Sequence, residues 1–191
     1  MVGNIFVDFR KAFDSISHHG LLNKFQAVGV AGELWCWIKN NSADRSQATV
    51  VNGFQSETLP VKFGMPQGSV LGPTLFSLFC NDLPDAVEDC DDEIHIYADD
   101  TTIYVAVSFP AMIAVVLNVI LQKLYDWCCL NRLIPNPGKT KYMILMRGPF
   151  VGPLQAVSLG SSVVTQVKST RCLGGEIDSY LNWNVPCKRV N

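Results

Sequence analysis

The sequence predicts an α+β fold, an antiparallel sheet with helices packed on one face. Three observations carry the prediction. Apolar runs rich in β-formers alternate with segments whose apolar residues repeat at helical spacing, in the order strand, helices, strands, helix, strand pair, helix, strands. Turn signals such as Asn52-Gly53 join strand-like runs that follow one another directly, as in antiparallel hairpins. At 191 residues, 48% hydrophobic and 17% charged, the chain has the composition of a globular domain and not of a disordered segment.

Taken in order, NIFVDF (4–9) is a short apolar run that reads as a buried strand ending in charge. Ser17 is the expected N-cap of a helix carrying Leu21, Leu22, Phe25 and Val28 on one face, with Gly29 as its stop. AGELWCWIKN (31–40) reads as a second short helix, and the segment 46–64 as a hairpin around Asn52-Gly53. TLFSLFCNDLPDAV (74–87) is apolar at helical spacing and is entered through Pro73, a residue tolerated in a first turn. IHIYADDTTIYV (94–105) reads as two strands joined by a tight turn at Asp99-Asp100, with Ile94, Ile96, Ala98, Ile103 and Val105 facing the core. Pro110 opens a helix of about 20 residues with Leu117, Leu121, Leu124 and Cys128 on one face, Ile120 and Trp127 beside them, and PNPGK (135–139) as its break. TKYMILM, LQAVSL, SVVTQV and STRCLGGEI follow as strands separated by glycine or proline.

The formal net charge of −2 is not the footprint of a dedicated nucleic-acid-binding domain. Seven cysteines, without CxxC spacing or a partnering histidine pattern, point to neither a disulfide framework nor a zinc site and suit a reducing compartment. The apolar start meets Asp8 too soon to be a signal-peptide core, so secretion is not expected. The most apolar segment, 111–121, is about half of the roughly 20 residues a bilayer span requires and reads as a core helix, so no membrane partner is expected.

The adjacent carboxylates Asp99 and Asp100 need a physical account. In a surface turn such a pair is ordinary, because Asp accepts turn geometry, caps its own backbone and is solvated. Two like charges about 4 Å apart nevertheless repel by roughly 4 kcal/mol at an effective dielectric of about 20. At a partly covered sheet surface a divalent cation is the usual offset, and oxygen-rich acidic sites suit Mg²⁺ or Mn²⁺. Asp8 adds weight to that reading. It ends another buried-looking strand, a costly site for an unpaired charge, and two strands ending in carboxylates side by side would hold two metal ions.

FVDFRKAFD (6–14), GMPQGSVLGPTLF (64–76), YADDTTIY (97–104), NPGKTKYMIL (136–145) and CLGGEIDSYLNW (172–183) resemble, in order, five successive motifs of reverse transcriptases. The flavour is similar to that of non-LTR, LINE-type retrotransposons, not of retroviral enzymes, and the motifs cover most of the chain. The resemblance implies a right-hand polymerase palm that adds deoxynucleotides to a primer 3′-hydroxyl. Its partners would be an RNA template, a DNA primer and deoxynucleoside triphosphates. It implies that Asp8 and Asp99 bridge two Mg²⁺ ions, with Mn²⁺ as the alternative, and that Asp100 is a third acid with a weaker or outer-shell metal role. One ion would polarise the primer hydroxyl and the other would neutralise charge on the triphosphate and the leaving pyrophosphate.

The remaining assignments also come from the resemblance. Phe13 matches an aromatic ring under the incoming sugar that would exclude a ribose 2′-hydroxyl, while its spacing from Phe9 alone reads as core. Gln67 and Gly68 match a segment in which the amide touches the incoming nucleotide and the glycine permits close backbone approach; alone, Pro66-Gln67-Gly68 is a turn. Lys139 matches a proton donor to pyrophosphate or a charge stabiliser, and reads equally as a solvated loop lysine. Arg10 and Lys11 resemble positions near the triphosphate, with a solvated face as the alternative. Leu173 and Gly174 lie in the counterpart of the primer-grip hairpin and would support the primer end. His18, His19 and His95 have no partners at ligand spacing.

The chain is therefore expected to be one partial reverse transcriptase domain, a palm with some fingers helices but without N-terminal fingers strands or a C-terminal thumb. The missing parts would account for the absent basic surface. Gly175 stands where the family more often has a β-branched residue, and NVPCKRVN (184–191) departs from the usual pattern. An inactive transposon remnant and a binding module that contacts metal or nucleic acid without catalysis stay open as alternatives. An intracellular location, in cytoplasm, nucleus or both, is expected.

Overall fold

The structure is a computed structural model that describes residues 1–43, 45–65, 70–87, 92–146, 148 and 155–182. NIFVDF contributes to β1 (Val2–Val7), whose Gly3, Ile5 and Val7 are buried on one side. Helices α1 (Ala12–Ser15) and α2 (His18–Ala27) follow. The Ser17 hydroxyl accepts from the Gly20 N–H as the expected cap, and Gly29 takes φ +88° past the helix end. Leu21 and Phe25 are buried but Val28 is exposed, so the apolar face is narrower than the spacing predicts. After α3 (Gly32–Ser42), the short strands β2 (Ser46–Gln47), β3 (Val50–Val51), β4 (Phe54–Gln55) and β5 (Leu59–Pro60) form two ladders, β2 with β5 and β3 with β4. Asn52 and Gly53 take φ +50° and +81°, the left-handed pair that the two-residue hairpin turn needs.

The helix expected over 74–87 is two, α4 (Gly72–Phe79) and α5 (Leu83–Val87). Pro84 has no N–H with which to bond the Cys80 carbonyl, and the Leu83 N–H takes that carbonyl in a tighter turn. Strands β6 (Asp92–Tyr97) and β7 (Asp100–Ala106) form the predicted hairpin. A 3₁₀ turn at Pro110–Met112 leads into α6 (Ile113–Asn131). With that turn the helical segment Pro110–Asn131 is long and apolar enough to cross a membrane by length and composition. Here its Ile113, Leu117, Ile120, Leu121, Leu124, Trp127 and Cys128 are buried, which is the core helix the spacing predicts. A Cβ on Gly3 would stand 2.9 Å from Ile113 and 3.0 Å from Leu117, so the bare glycine lets α6 lie close on β1. Arg132, in the left-handed region at φ +58°, ends α6 ahead of PNPGK.

The remaining strands are β8 (Lys141–Leu145), β9 (Ser158–Leu159), β10 (Ser162–Val163), β11 (Thr165–Gln166), β12 (Ser169–Cys172) and β13 (Gly175–Asp178). LQAVSL and SVVTQV thus yield pieces of two residues, and STRCLGGEI is a hairpin. The main sheet has five strands in the order β11-β8-β1-β7-β6, antiparallel apart from the β11–β8 pair. Cys36, Cys80, Cys128, Cys129 and Cys172 are free thiols.

Candidate active site

The β6–β7 hairpin turns one residue earlier than its sequence predicts. Tyr97 pairs with Asp100, so the turn is Ala98-Asp99, and Ala98 takes φ +53° in place of a core position. Asp100 opens β7 instead of sitting in the turn. The core decides this register. Ile94 pairs with Ile103 and Ile103 with Ile5, whereas a slip by one residue would turn Thr102 and Tyr104 inward. Directly paired residues share a face, so Asp100, Thr102 and Tyr104 lie on the face away from Ile5 and Ile103. The β1–β7 ladder ends at Val7 paired with Thr101, and Asp8 leaves β1 where its next partner would be Asp100. Two strands do bring carboxylates to the same end of the sheet. Among the described residues no three His, Cys, Asp or Glu side chains converge as a ready metal cage.

Asp8 is held by the loop that ends α6 and opens the fourth motif, NPGKTKYMIL (136–145). The Asn136 N–H donates to the Asp8 carbonyl at 2.8 Å, and the Asn136 side-chain amide donates to Asp8 Oδ2 at 2.8 Å. The Asp8 N–H donates to the Thr140 hydroxyl at 3.2 Å. Lys139 is exposed in this same loop, its N–H donating to the Asn136 carbonyl at 3.1 Å. Arg10 is exposed with its N–H bonded to the Ile134 carbonyl, and exposed Lys11 takes φ +48° to cap α1. Among the described residues none of Arg10, Lys11 and Lys139 is in an ion pair, so their charges are available to an anion.

Phe13 is half-buried and stacks on Phe76 with ring centroids 4.7 Å apart, so the core reading holds for one side of the ring. Its carbonyl accepts from the Met65 N–H, and Gly64, at φ +86°, passes Asp14 so closely that a Cβ would meet the Asp14 carbonyl oxygen at 3.0 Å. This anchors the entry to the segment carrying Gln67 and Gly68, which lie outside the described residues. Leu173 and Gly174 form the β12–β13 turn with φ +46° and +82°. Leu173 lines a cleft of about 380 Å³ together with Tyr97, Asp100, Thr102, Tyr104 and Cys172. The hairpin therefore lies over the sheet face that carries Asp100, and burial raises the pKa of the Tyr104 phenol there.

A family profile described as reverse transcriptase (RNA-dependent DNA polymerase) matches residues 3–177. The chain belongs to the reverse transcriptase family. An RNA-directed DNA polymerase from mobile element jockey of Drosophila funebris is 26% identical over 186 residues, 95% of this chain and 20% of that protein. A probable RNA-directed DNA polymerase from transposon BS of Drosophila melanogaster is 29% identical over 192 residues, 94% of this chain and 20% of that protein. These relatives put this reverse transcriptase domain in the non-LTR, LINE-type group, and the chain spans about a fifth of their length. Among solved structures, apo telomerase from Candida tropicalis truncated from its C-terminal domain superposes with a TM-score of 0.65 at 13% identity, over 95% of this chain and 35% of that one. Telomerase from the same organism in complex with a TWJ fragment of telomeric RNA gives 0.64 at 12% identity, over 100% and 30%. The shared fold is the expected α+β polymerase palm.

Reverse transcriptases use divalent metal ions. In this reverse transcriptase domain the donor chemistry fits such an ion: Asp8, Asp99 and Asp100 supply hard carboxylate oxygens from two adjacent strand ends. Only Oδ2 of Asp8 is taken by Asn136. The motif NPGKTKYMIL contains Asn136 and Thr140, but nothing local in it marks their contact with Asp8, which lies far back in the chain.

Proposed function

We propose that the chain is the palm of a retrotransposon RNA-directed DNA polymerase that extends a DNA primer with deoxynucleoside triphosphates on an RNA template. The observation that carries this reading is the β1–β7 register, which leads Asp8, the Ala98-Asp99 turn and the first residue of β7, Asp100, to one end of the sheet. Asp8 and Asp99 would hold two divalent ions, Mg²⁺ before Mn²⁺, with Asp100 beside them. Bound there, the ions supply charge neutralisation for in-line displacement at phosphorus.

The chain's own residues do the rest. Arg10 and Lys11 draw the triphosphate, Phe13 sits under the sugar and rejects a 2′-hydroxyl, the Gln67 amide would touch the incoming nucleotide, and Gly68 would permit close backbone approach. Lys139 gives a proton to the leaving pyrophosphate or stabilises its charge, and the Leu173-Gly174 turn supports the primer end. The work is intracellular, in cytoplasm, nucleus or both.

Primer extension on an RNA template with Mg²⁺, run beside Asp99→Asn, tests the reading. Incorporation by the parent and a loss of at least about 100-fold in the variant is the expected result. Salt-dependent RNA binding without incorporation, from a folded sample, would mark a binding module or an inactive remnant instead.

A further inference from the structure

We infer that Asn136 is a positioning residue for Asp8, fixing one carboxylate oxygen so that the other is presented to the divalent ion; the inference rests on the proposed polymerase reading. The loop after α6 returns to the end of β1 and grips one residue from three directions. Asn136 donates from its backbone to the Asp8 carbonyl and from its side chain to Asp8 Oδ2, both at 2.8 Å, and Thr140 accepts from the Asp8 N–H at 3.2 Å. The loop is closed on itself, since the N–H groups of Lys139 and Thr140 both donate to the Asn136 carbonyl and Thr140 is fully buried. The flank is pinned by the Arg10 N–H to Ile134 carbonyl bond at 2.8 Å and by the Phe9–Pro135 bridge.

A carboxylate at the end of a strand turns freely about its side-chain torsions. The two backbone bonds fix the main chain of Asp8, and the amide on Oδ2 fixes the plane of the carboxylate. Among the described residues Asn136 is the one side chain that donates to it. A neutral amide suits this task because it orients the ligand without adding a positive charge that would repel a cation, the general pattern of hydrogen-bonded partners behind metal ligands. The same loop carries Lys139, so the proposed proton donor is tied to the first carboxylate through Asn136.

The test is Mn²⁺ binding by the full chain without nucleic acid, followed by the loss of the free-ion paramagnetic resonance signal, for the parent, Asn136→Ala, Asn136→Gln and Asp8→Asn. Asn136→Ala should weaken binding about tenfold at an unchanged melting temperature, with Asn136→Gln recovering most of it and Asp8→Asn losing the site. If Asn136→Ala does not fold, Asn136→Ser, whose hydroxyl is too short to reach Oδ2, carries the comparison. Parent-like binding by a folded Asn136→Ala or Asn136→Ser, together with loss of the site in Asp8→Asn, would overturn the role of Asn136 and leave the polymerase reading standing. Parent-like binding by Asp8→Asn would remove the metal role of Asp8 and the inference with it.

Discussion

Phe13 has a packing task and a proposed one at the substrate, and substitution separates them. One side of its ring stacks on Phe76 in the core, and the proposed reaction uses the ring as a wall against a 2′-hydroxyl. Phe13→Ala should lower stability by about 3 kcal/mol, read as a shift in urea midpoint, because it removes buried aromatic surface. Phe13→Val keeps part of that packing and should raise ribonucleotide relative to deoxyribonucleotide incorporation by at least about tenfold, measured as the ratio of kcat/KM values. An unchanged ratio would return Phe13 to the core alone. Lys24 shows the opposite case, a charged residue with a structural task. Its ammonium donates to the Phe79 carbonyl and to Asp82 and lies over the rings of Phe79 and Trp127, joining α2 to α4, the start of α5 and α6. Burial lowers its pKa while Asp82 opposes the shift.

At the scale of elements, legibility followed the range of the interactions that decide each one. The strand NIFV, the Ser17 cap and the buried face of α6 are set by neighbours within a few residues, and all can be read from spacing. The β6–β7 turn is decided by which isoleucines meet across the sheet, so Ala98 is forced into a left-handed conformation that propensity would give to the aspartates. The Asn136–Asp8 contact spans 128 positions, beyond any local pattern. Gly160 in the β9–β10 turn gives a test of close packing between elements. Its φ is +60°, and a Cβ there would lie 2.7 Å from the Tyr125 ring on α6. Gly160→Ala should cost about 1–3 kcal/mol in thermal or urea unfolding, since both the backbone and a rigid ring resist the methyl group. A neutral effect would show that the turn can lift away from α6.

At the scale of the whole molecule, two thiols buried among the described residues shape the response to alkali. Burial pushes Cys80 and Cys128 from 9.0 up to about 12. Burial also raises the phenols of Tyr104 and Tyr142. Above about pH 9 the unfolded chain releases thiol protons that the folded chain retains, so the stability these groups contribute is complete below pH 9 and is lost as pH rises toward 12. Lys24 acts in the other sense, because its lowered pKa makes the folded chain release that proton first as pH approaches 10.5. The thiols outnumber it, so urea midpoints should fall between pH 9 and 11, and a Cys80→Ala, Cys128→Ala double variant should show a flatter slope by up to about 2.7 kcal/mol per pH unit. The same core that holds these thiols sets the β1–β7 register on which the proposed function depends. The central claim is that Asp8 and the Asp99-Asp100 pair at the β6–β7 hairpin end, far apart in sequence, form one divalent-metal site. Cleavage of the folded chain by Fe²⁺ and ascorbate, which cuts backbone beside the bound ion, tests it most directly. Cuts near both Asp8 and Asp99, suppressed together by excess Mg²⁺ and absent in Asp8→Asn, are the predicted result, whereas cuts at only one of these strand ends, or at neither, would contradict it.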